Sequence, residues 1–146
     1  MIMTRAAAYA TYTEADAYFA GDPDAAEWLA LAVTATKTAL LLKASGAIDR
    51  QLLKGAKADA VQGRAFPRTM DRTTQVGVPQ AVIDACCEEA NEMLKQLGSP
   101  RLNLQRSGVS SVGYSGSSES YRVGSGKGLI SRAAKELMKF YLLGAV

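Results

Sequence analysis

Apolar positions at helical spacing mark out most of the chain, and the gaps between them carry turn signals. Thr13-Glu14-Ala15-Asp16 reads as a helix start, with Thr13 as the cap and acids at the positive helix end. Ala15, Tyr18 and Phe19 form its apolar side, and it ends near Gly21. A second helix opens with Asp22-Pro23, because proline at the first helical position gives up no needed hydrogen bond. Trp28, Leu29, Ala32, Ala35, Ala39, Leu40 and Leu42 form one broad stripe, with Gly46 as the stop. A short helix carrying Ile48, Leu52 and Leu53 follows. Residues 54–78 lose the periodicity and contain Gly55, Gly63, Pro67 and Gly77, so they read as a long loop with extended pieces. Pro79 opens another helix that ends by Gly98, with Val82, Ile83, Cys86, Ala90, Met93, Leu94 and Leu97 on the core side. Asp84, Glu88 and Glu92 lie opposite.

Beyond Arg101 the pattern changes to dense Gly and Ser with interleaved β-branched and aromatic residues. Val109, Val112 and Tyr114, then Tyr121 and Val123, predict two strands around a turn at Ser115-Gly116-Ser117-Ser118. After the Gly124–Gly128 hinge, Ser131 caps a last helix through Leu143. Its apolar side is Ala134, Leu137, Met138, Tyr141 and Leu142, and its basic side is Arg132, Lys135 and Lys139. The expected fold is mainly α: a small helical bundle with a β-hairpin or extended arm and a C-terminal helix. It forms one domain over 1–146, with a helical core at 12–98, the arm at 101–125 and the terminal helix at 129–143.

Composition narrows the chemistry. The 146 residues include no histidine, so no Ser-His-Asp or Cys-His arrangement and no histidine metal site can form. Cys86 and Cys87 are adjacent and read as small buried apolar residues. The N-terminal Met-Ile-Met-Thr-Arg lacks a signal-peptide pattern, and the apolar run from Trp28 to Leu42 is too short and polar to cross a bilayer. Net charge is +3, but it alternates along the chain: −2 over 1–46, +3 over 47–76, −3 over 77–100 and +5 over 101–146. Faces of opposite sign let copies or partners stack.

Gly124-Ser125-Gly126-Lys127-Gly128 fails as a phosphate loop, since position 121 is Tyr and position 128 is Gly. Ser115 is no nucleophile elbow, because Ser117 stands where glycine is required. No nucleophile, base and stabiliser converge, so the expectation is no catalytic residues, no metal, no cofactor and no enzyme. The loop offers Lys54, Lys57, Arg64, Arg68 and Arg72, with Phe66 among the arginines. Such cations can neutralise phosphate and an aromatic can stack on a base. Phe66 itself, beside Pro67, reads better as an apolar anchor of the loop.

Several segments stand in a specific order. Tyr12-Thr13-Glu14-Ala15-Asp16-Ala17-Tyr18-Phe19 precedes an Ala-rich helix with one Trp, then Arg64-Ala65-Phe66-Pro67-Arg68 and Val78-Pro79-Gln80-Ala81-Val82. Gly108-Val109-Ser110-Ser111-Val112 leads to Ser131-Arg132-Ala133-Ala134 and an apolar last helix. This order resembles the head–tail adaptor (connector) proteins of tailed phages, especially the branch labelled DnaT-like single-stranded-DNA-binding protein. The resemblance implies a structural virion protein, made in the host cytoplasm and placed in the neck between capsid and tail. Copies would form a ring, commonly a dodecamer, below the portal, extending the channel through which double-stranded DNA passes. Its partners would be the portal, a downstream neck or tail protein and further copies of itself. Leu137, Phe140, Tyr141 and Leu142 would then dock on the portal, so that deleting 129–146 leaves the core folded, unless this helix completes the core. Lys54, Lys57, Arg64, Arg68 and Arg72 would face the channel or the neck. The alternative is a single-stranded-DNA-binding replication protein.

Overall fold

Thr11, one turn's edge earlier than Thr13, opens the first helix in the computed structural model, which describes residues 6–97 and 128–143 and the backbone of 111–114 and 117–120. The Thr11 hydroxyl accepts from the Glu14 N–H, and the Glu14 carboxylate reaches back to the Thr11 N–H, a reciprocal capping box. Helix α1 runs Tyr12–Phe19 and buries Ala15 and Phe19.

The single long helix expected after Asp22-Pro23 is in fact three pieces. Asp22 caps a 3₁₀ turn over Pro23–Ala25, which passes into α2, Ala26–Ala30. The chain then turns extended at Leu31 and Val33 before α3, Thr34–Asp49. The break lets two side chains converge on one carboxylate. Trp28 Nε1 donates to Asp16 Oδ1 at 2.9 Å, and Lys37 Nζ reaches the same oxygen at 2.8 Å. A continuous helix would have put Leu29, Ala32 and Ala35 inside, but all three are exposed. Gly46 does not stop α3, which carries Ile48 into the core, and no separate helix covers Leu52 and Leu53.

The aperiodic stretch 54–78 contains a small antiparallel sheet in the order β1 (Ala56–Lys57), β2 (Arg68–Met70), β3 (Thr73–Thr74). Ala56 pairs with Thr69 and Thr69 with Thr74, whose hydroxyls bond at 2.9 Å. Gly55 precedes β1 at φ +76, and a Cβ there would overlap the Thr69 carbonyl and the Met70 side chain. Helix α4, Gln80–Gln96, starts after Pro79 as expected. It is the spine of the fold: α3 packs along one side and α5, Arg132–Met138, along another. Ser131 caps α5 by accepting from the Ala134 N–H at 3.1 Å. Strands β4 (Ser111–Tyr114) and β5 (Ser117–Ser120) pair as a hairpin, with Tyr114 opposite Ser117. Ser117 and Ser118, expected in the turn, belong to the second strand, and the positions at Val109, Tyr121 and Val123 lie outside the described residues.

The fold is mainly α with a C-terminal helix. Its core joins Phe19, Trp28, Leu41, Ile48, Phe66, Val82 and Met138, each at most 2% exposed. Cys86 and Cys87 are buried there as free thiols, and burial pushes both well above the ordinary thiol range. Leu129, Ala134 and Met138 belong to this same core, so the last helix completes it, and deletion of 129–146 would open it rather than leave it intact.

Candidate nucleic-acid interface

The five loop cations divide into two groups with different tasks. Arg64 and Arg68 are braces. Arg64 Nη1 pairs with Asp49 Oδ2 at 2.9 Å, while its other nitrogens hold the Ala6 and Ala7 carbonyls at 3.1 and 2.9 Å. Asp49 also accepts the Tyr9 hydroxyl and the Ala65 N–H, and Tyr9 in turn accepts from the Phe66 N–H. Burial, and then the bond to Asp49, raise the Tyr9 phenol far above its ordinary value, so it stays a neutral donor. This knot ties the N-terminal segment, the end of α3 and the loop together. Arg68 is 8% exposed and its guanidinium donates to the carbonyls of Lys54 (2.7 Å), Gly55 (2.8 Å) and Ala65 (3.1 Å). Arg68 is thus buried and Arg64 half-buried, each with its guanidinium committed to partners within the fold. Phe66, 2% exposed and joined to Pro67 by a cis peptide bond, is the core anchor that its neighbours predicted.

Lys54, Lys57 and Arg72 are exposed, and none is in an ion pair among the described residues. Lys57 lies in β1. Arg72 sits with Asp71 in the two-residue turn between β2 and β3, and both have positive φ, 50° for Asp71 and 65° for Arg72. The exposed acids Asp59 and Asp71 lie in the same region, so the positive charge there is local rather than a broad field.

The four proposed docking residues also divide. Leu137, Tyr141 and Leu142 pack against the core. The Tyr141 ring meets Phe66 edge-on at 5.2 Å, and Leu142 forms an antiparallel bridge with Leu53. Both residues lie beyond the end of α5, which stops at Met138 rather than at Leu143. Phe140 alone of the four is exposed, at 67%.

The two candidate sets meet at that bridge. Lys54 N donates to the Tyr141 carbonyl and Leu143 N to the Leu52 carbonyl, each at 2.8 Å. Alternation then turns Leu53 inward and leaves Leu52 and Lys54 exposed, as Phe140 and Leu143 are. Lys54 Nζ lies 5.6 Å from the Phe140 ring centroid. The result is an exposed aromatic ring with a cation on it, Lys139 next to it in the chain, and Arg68 holding the Lys54–Gly55 backbone from inside.

One buried group was missed at the sequence level. Glu89 is 1% exposed and accepts from Ile130 N at 2.7 Å and Ser131 N at 3.3 Å, fastening the start of α5 to α4. Burial raises its carboxyl above the usual range, against the lowering effect of those two N–H bonds. Its signal was an acid at Val82 plus seven, in line with the apolar stripe rather than the polar one. On the other flank of α4, Glu88 accepts from the Tyr18 hydroxyl at 3.0 Å, and burial raises both groups.

Among the described residues no cluster of His, Cys, Asp or Glu is arranged to hold a metal ion, and no helix is long and apolar enough to cross a membrane. No curated protein and no solved structure matches the sequence. A family model described as "Putative DnaT-like ssDNA binding protein" matches residues 1–142, nearly the whole chain. The chain belongs to that DnaT-like family.

Proposed function

We propose that the protein binds single-stranded DNA, as the description of its family states, through the face that carries Lys54, Lys57, Arg72, Lys139 and Phe140. The observation behind this reading is the division of labour among the cations. Arg64 and Arg68 are used up by the fold, whereas these four are exposed and lack an anionic partner among the described residues. Free cations release counterions on meeting phosphate, and an exposed aromatic favours bases that are not already paired. Fluorescence anisotropy with a labelled oligonucleotide and its duplex tests the proposal. The single strand should bind at low salt and the duplex more weakly, and Lys57→Glu with Arg72→Glu should weaken both. Absence of binding to the single strand at low salt rules the reading out.

A connector role is the second reading, favoured by a different property of the same surface. Leu52, Phe140 and Leu143 are 75%, 67% and 55% exposed, a set of apolar side chains suited to anchoring on another protein such as a portal. In that reading the protein is a virion component of the neck, in a ring with copies of itself. Mass spectrometry of purified virions separates the two: a fixed ratio near one copy per portal subunit supports the connector, and absence from virions removes it.

A further inference from the structure

We infer, on the premise that the protein binds single-stranded DNA, that Phe140 is a stacking platform for one unpaired base, with Lys54 moving from the ring to a phosphate as the base arrives. Phe140 is 67% exposed, yet it is not loose. The Tyr141 ring supports it edge-on at 5.2 Å and 89°, and Tyr141 is itself packed on Phe66. The segments that carry Lys54 and Phe140 are joined by the two 2.8 Å backbone bonds across the Leu53–Leu142 bridge. Arg68 fixes the Lys54 carbonyl at 2.7 Å. A preorganised ring loses little freedom on binding a planar ligand.

The Lys54 ammonium, 5.6 Å from the ring centroid, occupies one face of Phe140 in the free protein. An exposed cation–π contact is weak, and a stacked base is held several-fold more strongly. A base that displaces the ammonium brings its own phosphate within reach of the long lysine side chain, so the cation exchanges one partner for another. Leu52 and Leu143, joined to each other through the Leu143 N–H and the Leu52 carbonyl, add exposed apolar side chains on the same two segments. Lys54 on the ring and the exposed Lys139 next to it in the chain favour a polyanion over the apolar surface of a protein partner.

The full-length protein tests this. Phe140→Ala should lower affinity for a single strand roughly tenfold and leave the salt dependence of binding unchanged. An abasic strand of equal length should bind the wild type as weakly as the normal strand binds the alanine variant, a comparison that needs no altered protein. Trp28 is the single tryptophan and is fully buried, so Phe140→Trp adds one exposed indole. Its fluorescence should be quenched as the strand stacks, with affinity retained. Binding by the wild type that ignores the bases, or an indole that the strand does not quench, overturns the platform and leaves the single-strand reading standing. No binding of any strand by the wild type at low salt overturns both.

Discussion

Arg68 and Arg72 stand four residues apart in one basic loop, and their surroundings give them opposite work. Arg68 is a planar fork spent on three carbonyls, so its charge stabilises a bend that would otherwise bury unpaired acceptors. Arg72 is exposed in a turn where both central residues have positive φ, a geometry that favours glycine or asparagine. A bulky residue held there is strained by about 1 kcal/mol. The two arginines therefore respond differently to replacement. Arg68→Lys keeps the charge but loses the fork and should destabilise the protein by about 2–3 kcal/mol. Arg72→Gly should leave stability unchanged or raise it by up to about 1 kcal/mol, while weakening single-strand binding. Urea denaturation and anisotropy on the same two variants check this, and Arg72→Gly that destabilises the fold would show the turn to be unstrained. Nothing in the sequence near either arginine separates them. The distinction arises from the neighbouring backbone: the carbonyls of Lys54, Gly55 and Ala65 come together only when β1 meets β2.

Helices were more legible than the segments between them, for a reason visible in α4 and α3. Helix α4 has one apolar stripe and an acidic side, so its period and its ends follow from the sequence, from Pro79 to Leu97. Around α3 the stripe is mostly alanine, which fits a buried or an exposed face equally well, and the break at Leu31–Val33 could not be seen. It is imposed from outside, by Asp16 drawing Trp28 and Lys37 to one point. The attachment of α5 was hidden in the same way, because Glu89 looks like one more surface acid of α4. Its energetics have a definite sign. The folded-state pKa is raised above the unfolded value, so the native state holds the proton more tightly. The contribution of Glu89 to stability is full below the unfolded value of about 4.3 and is lost as pH rises through the folded value. Glu89→Gln keeps an acceptor for Ile130 and removes the titration, so the variant should gain on the wild type as pH rises from about 4 to 8. A stability difference that is flat over this range would refute the assignment. Glu89→Ala orphans two buried N–H groups and should cost about 2–3 kcal/mol by urea denaturation at pH 7.

At the scale of the molecule, the surface charges among the described residues group by element. Asp84, Glu88 and Glu92 recur along one side of α4, while Lys54, Lys57 and Arg72 are exposed on the loop that carries the sheet and Lys139 at the end of α5. A net charge of +3 is too small to describe this, since what a strand of DNA meets is the local set of free cations and not the total. The number of free cations gives a quantitative expectation. Each cation that neutralises a phosphate of a single strand contributes roughly 0.7 to the slope of log affinity against log salt. If Lys54, Lys57, Arg72 and Lys139 all engage, the slope is about −3, whereas a set that also included Arg64 and Arg68 would steepen it to about −4. Anisotropy titrations across salt concentrations measure it directly. Lys57→Gln should make the slope shallower by roughly 0.7, and Arg64→Gln should leave the slope alone while lowering thermal stability, because Asp49 loses its ion pair and the Ala6 and Ala7 carbonyls lose their donor. A slope that changes with Arg64 as much as with Lys57 would mean that the brace opens on binding, and that the division between structural and free cations does not survive contact with DNA.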